Sequence, residues 1–144
     1  MPLLKKYNRT PPSVPMLINR LLHQNVETLE ENLMITAFQY GIADKQHYDY
    51  LTRMANMLNI ANQYKPSDVG LSLATNLTWL TENIAEHYNA HGNFRLSVIN
   101  LKLMRATVHA YDLYWKTQTT HFYNKCVAEL SAFYAELGQQ KALS

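Results

Sequence analysis

Beyond the first fifteen residues, apolar side chains recur at steps of three and four, and period-two alternation never persists. An amphipathic helix needs the first pattern and a half-buried strand the second, so the chain is committed to an all-α fold. Its punctuation points the same way. After Pro15 only Gly41, Pro66, Gly70, Gly92 and Gly138 interrupt it, and most of the intervals between them are helix-length.

The first helix is expected from Met16 to Tyr40, with Ile18, Leu22, Val26, Leu29, Leu33, Ala37 and Tyr40 on one stripe and Gly41 as its stop. Asp44 can cap the second by accepting from the free N–H groups of the first turn, and Leu51, Met54, Leu58 and Ala61 give it an inward face. Residues 65 to 70 read as a loop, because Pro66 disfavours helix at Lys65 and Gly70 weakens helix around itself. A third helix carries Leu73, Leu77, Leu80 and Ile84 and ends near Gly92.

Ser97 can cap a fourth helix that has two apolar stripes. One is Leu101, Met104, Val108, Tyr111 and Trp115; the other is Ile99, Leu103, Ala106, Ala110 and Leu113. A helix apolar over so much of its circumference is central or part of an interface, sealed by the fifth helix or by a second copy in a homodimer. The last helix has Phe122, Cys126, Leu130, Phe133 and Leu137 before Gly138. Between the two, residues 116 to 120 hold neither Gly nor Pro, so two helices and one long bent helix both fit.

Residues 1–15 differ in kind: four prolines, Lys5, Lys6, Arg9 and no acid make an extended, flexible basic arm. With those three cations set aside, ten basic residues face eleven acidic ones, so the net charge of +2 sits on the arm. The expected organisation is this arm, a single five-helix bundle domain over residues 16–138, and a tail over 139–144. At 144 residues the chain can bury a core without a disulfide, and lone Cys126 allows none. The longest uncharged run, Val69 to Thr81, is too short and too polar for a membrane span. Without a signal segment the expected compartment is the cytoplasm of a bacterial host.

Several residues invite a chemical reading. His87 and His91, four apart on one helix face, can share a metal, but further ligands at metal-site spacing are missing, so no metal and no cofactor are expected. Glu27, Glu30, Glu31, Glu82 and Glu86 lack the Glu-x-x-His spacing of di-iron bundles and read as solvated faces. Cys126 has His121 and Lys125 nearby in sequence, yet it lies on the apolar stripe and reads as a small buried hydrophobe. No phosphate-binding loop or nucleophile motif is possible with four scattered glycines, and the chain is not expected to be an enzyme. A DNA- or RNA-binding regulator is the alternative, using Lys5, Lys6, Arg9 and Arg20 on phosphates. Against it, Lys102, Arg105, Lys116 and Lys125 form no evident basic stripe. Ten tyrosines and two tryptophans exceed what the core stripes need, and aromatics with a polar tip suit protein interfaces. Tyr111, Tyr114 and Trp115 are the candidates, with Phe94 and Arg95 of the turn.

The segment Leu51-Thr52-Arg53-Met54-Ala55-Asn56-Met57-Leu58-Asn59-Ile60-Ala61 is similar to the Ala-Asn/Leu-rich second-helix signature of a family of small helical proteins. That family is carried by bacterial phages, plasmids and conjugative elements. His91-Gly92-Asn93-Phe94-Arg95-Leu96 resembles its Gly-Arg-Trp-Gly-Phe turn, and Leu113 to Thr120 its final leucine and threonine segment. Phe94 stands where Trp is usual and Arg95 where glycine is. The resemblance implies a mobile-element accessory protein that binds and blocks a host protein. An inhibitor of a defence system such as CRISPR–Cas is the expected kind, and its partner would then be a defence ribonucleoprotein.

Overall fold

The computed structural model describes residues 29–143, and over them the fold is an all-α bundle of five helices with no strand. Helix α1 covers residues 29–39, α2 Lys45–Tyr64, α3 Asp68–His91, α4 Val98–Lys116 and α5 Thr120–Leu143. The basic arm over residues 1–15, with Lys5, Lys6 and Arg9, lies outside the described residues, as does Arg20. Helix α2 is the hub, packing along α3 and against α5, while α3 packs on α4. No helix among the described residues is long and apolar enough to cross a membrane.

Local chemistry sets most helix ends where the sequence places them. Gly41, at φ 70°, closes α1: its N–H donates to the Phe38 carbonyl and the Ile42 N–H to the Ala37 carbonyl. Asp44 caps α2 by accepting from Gln46 and His47 N–H, and His47 Nδ1 accepts from the Asp44 N–H in return. Ser97 caps α4, and Gly92, at φ 75°, ends α3. Leu51, Met54, Leu58 and Ala61 are buried, and so are Leu73, Leu77, Leu80 and Ile84.

Three expectations need correction. The loop before α3 is shorter than residues 65 to 70, for Ser67 is the N-cap and Gly70 lies inside the first turn. There the glycine serves close packing: a Cβ at position 70 would come within 2.4 Å of Asn62 Oδ1, while Asn62 Nδ2 donates to the Gly70 carbonyl. Helix α1 is rotated about its axis relative to the expected stripe. Leu29, Leu33 and Tyr40 are 62%, 61% and 70% exposed, and the buried face is Glu31, Met34, Ile35, Ala37 and Phe38. Met34, Ile35 and Phe38 bring more apolar surface to the core, and Glu31 enters with them at 1% exposure. Helix α5 runs through Gly138 to Leu143, over most of the expected tail.

At the junction that the sequence leaves open, α4 and α5 are separate helices. Thr117 and Gln118 N–H donate to the Tyr114 and Trp115 carbonyls to end α4, and Thr119 Oγ1 accepts from Phe122 N–H to start α5. Gln118 is buried there, its Oε1 accepting from Lys65 Nζ at 3.2 Å. Hydroxyl and amide side chains thus make a corner that glycine or proline more often makes. Helix α5 is tied to α2 by Asn56 Nδ2 donating to Tyr134 Oη and by Tyr64 Oη donating to Glu129.

Candidate partner-binding surface

The residues that the sequence suggests as partner contacts prove to hold the bundle together. Tyr111 and Tyr114 are 5% exposed and Trp115 is 1% exposed. The Trp115 ring stands edge-on to Tyr114 at 5.0 Å and to Tyr123 at 5.1 Å, with Tyr111 and Phe122 just beyond. Such edge-to-face geometry is the favoured packing of aromatic quadrupoles, so this cluster is part of the core. Phe94 is stacked between Tyr88 at 4.4 Å and Tyr48 at 5.8 Å, which fastens the α3–α4 turn onto α2. Arg95 remains on the surface with its guanidinium lying over Gly41.

The other candidates are equally structural. The His87 and His91 rings lie 4.5 Å apart at a tilt of 40°, and His87 Nε2 donates to Asn93 Oδ1 at 2.8 Å, which ties the end of α3 to the turn after it. No group of three or more His, Cys, Asp or Glu side chains among the described residues is arranged to hold a metal. Cys126 is fully buried and its thiol is pushed up to about 12 by desolvation, so no thiolate forms at neutral pH. Glu31 departs from the solvated reading and forms part of the wall of a cavity of about 340 Å³ that Arg53, Tyr50, Tyr111 and Tyr123 also line. Arg53 sits over the Tyr50 ring, 5.2 Å from its centroid.

The second stripe of α4 stays at the surface, as does the α1 row Leu29, Leu33 and Tyr40. Ile99 is 79% and Leu113 49% exposed; Ala106 is exposed between them, and Leu103 and Ala110 lie half-buried at the margin of the core. The first stripe, by contrast, supplies the buried Met104, Val108, Tyr111 and Trp115. Neither α5 nor any other described element seals the outer stripe. Its residues recur at steps of four, three, four and three, the spacing that keeps one seam of a helix facing a second helix. Over four turns the seam is about 21 Å long.

Along one margin of that seam stand Lys102, His109 and Lys116, all exposed and each seven residues from the next. Arg105 is close by and donates to Gln39 Oε1 of α1. Among the described residues none of Lys102, Arg105 and Lys116 pairs with a carboxylate. Lys102 and Lys116 look scattered when distances are compared along the chain; the step of seven through His109, nearly two whole turns, is the signal in the sequence that aligns them. Scans against protein-family models, curated proteins and solved structures return no match for this chain.

Proposed function

We propose that this chain is a non-enzymatic binding protein that occludes a host protein, with the outer seam of α4 as its contact surface. The observation that carries the reading is the unbroken apolar seam Ile99, Leu103, Ala106, Ala110 and Leu113 with its basic margin. Large exposed apolar residues scattered singly are ordinary, but an aligned row rimmed by charge marks an interaction site. Support for a mobile-element setting comes from the sequence resemblance alone; in that setting the target is a component of a host defence system such as CRISPR–Cas. Inhibition there is by surface blockade, which needs no catalytic group. The buried, protonated Cys126 and the hydrogen-bonded His87 accord with that reading.

The test is affinity capture of tagged protein from nuclease-treated host lysate, run in parallel with an Ile99→Glu/Leu113→Glu variant. A stoichiometric protein bound by the parent and lost from the variant is the expected outcome. A partner retained equally by the variant would place the contact elsewhere. Recovery of nucleic acid in place of protein would sink the reading and favour a DNA- or RNA-binding regulator using Lys5, Lys6, Arg9 and Arg20.

A further inference from the structure

Resting on the reading of α4 as a contact surface, we infer that the element it receives is an acidic amphipathic helix of the partner. The shape argument comes first. A row at heptad spacing over four turns, exposed at Ile99, Ala106 and Leu113 and half-buried at Leu103 and Ala110, matches the apolar stripe of one helix laid alongside, and a nucleic acid would find no use for Ile99 and Leu113. The charge argument then selects the partner. Lys102, His109 and Lys116 hold the positions that directly precede the seam residue or its equivalent in each heptad, where flanking charges of a neighbouring helix come within reach. The one acid of α4, Asp112, lies on the outer side of this same margin, four residues before Lys116, and Lys102, Arg105 and Lys116 outnumber it there.

On the seam's other margin, Thr107 and Tyr114 are buried against the bundle, so charge selection acts from one side only. A second copy of this chain fits poorly. Antiparallel pairing of two α4 seams sets Lys102 opposite Lys116 and His109 opposite itself, and parallel pairing sets the cations opposite Asn100, Thr107 and Tyr114, which cannot neutralise them. A helix with Leu or Ile along its own seam and Glu or Asp beside it satisfies both requirements at once.

The probe is a fluorescein-labelled peptide of three heptads with Leu and Ile at the seam positions, Glu at the flanking positions and Ala elsewhere. Its control carries Lys for Glu. Anisotropy titrations use the full chain at low and moderate salt. The acidic peptide is expected to bind saturably and at least tenfold tighter than the basic one, with the difference shrinking as salt rises. A Lys102→Glu/Lys116→Glu variant should reverse the order, and Ile99→Glu/Leu113→Glu should lose both peptides while its melting curve stays that of the parent.

Equal binding of the two peptides, or no saturable binding of either, overturns the proposal. So does a dimer in light scattering that Ile99→Glu/Leu113→Glu dissolves, since the seam then belongs to a second copy. If the peptides fail while lysate capture still depends on Ile99 and Leu113, the occlusion reading stands and only the acidic helix is lost. If the acidic peptide binds as expected and lysate yields no protein partner, the surface chemistry stands and the occlusion reading falls.

Discussion

Replacing Trp115 by Ala separates a core aromatic from an interface aromatic, because the two roles affect different measurements. The indole is 1% exposed and makes edge-on contacts with Tyr114 and Tyr123 at 5.0 and 5.1 Å. Truncating a buried Trp to Ala costs about 3–5 kcal/mol through lost transfer energy and the cavity left behind. Each aromatic pair contributes about 0.5–1.5 kcal/mol beyond its area, which places Trp115→Ala toward the upper end, near 5 kcal/mol. A chain of 144 residues at ~0.05–0.15 kcal/mol per residue has about 7–20 kcal/mol in total, so the variant should fold but be visibly weakened. With a urea m-value of about 2 kcal/mol/M, the far-UV circular dichroism midpoint should fall by roughly 2.5 M at unchanged slope. At ~2–4 °C per kcal/mol the Tm should drop by about 10–20 °C. A midpoint shift below roughly 0.5 M would refute the core assignment, since 1 kcal/mol is less than any buried Trp of this kind should cost. Loss of partner binding at parental stability would return Trp115 to the surface.

Other expectations concern single positions. Gly70→Ala should destabilise by about 1–3 kcal/mol in urea unfolding, because the new Cβ meets Asn62 Oδ1 at 2.4 Å and this outweighs the helix-propensity gain of ~1 kcal/mol; a more stable variant would contradict the close approach of α2 and α3. Cys126 should resist a thiol reagent in the native protein and react fully in denaturant, and Cys126→Ser should cost about 1–3 kcal/mol by burying a hydroxyl in an apolar site; rapid native-state labelling would show the thiol to be accessible. Burial raises the Glu129 carboxyl above its ordinary range, so its favourable contribution is present at pH below that range and is lost as pH rises through the raised value. Glu129→Gln keeps an acceptor for Tyr64 Oη, and its urea midpoint relative to the parent should therefore be higher at pH 7 than at pH 4; the opposite order would mean that the charged form is the one the fold stabilises.

The legible part of the fold was the part written in local chemistry. Period and punctuation give an all-α chain and its first three helix breaks, and Asp44 and Ser97 cap as a carboxylate and a hydroxyl at those places should. Gly41 and Gly92 end helices because they alone take positive φ there without strain. The corner at Thr117–Thr119 was obscure for the converse reason: its capping groups are side chains that serve equally well within a helix or outside it. The candidate site was half legible. Both stripes of α4 can be read from spacing, including the outer seam, but tyrosine and tryptophan suit a core edge and an interface alike, so residue type alone favours the stripe that packing buries.

What the sequence determined by itself is therefore the class of fold and those helix ends that rest on a local cap or glycine, since each depends on residues within a turn or two; that α4 and α5 are two helices was decided by the structure. Which face of each helix turns inward was decided by the tertiary structure. In α1 two overlapping stripes compete, and Leu29, Leu33 and Tyr40 lose to Met34, Ile35 and Phe38 although Glu31 must be buried with the winners. Local spacing cannot rank such stripes, because the free energy of burying a face depends on the shape of the neighbours that α2, α4 and α5 present to it. The same holds for α4, where packing consumed one apolar stripe and left the other, with Lys102, His109 and Lys116 beside it, facing outward.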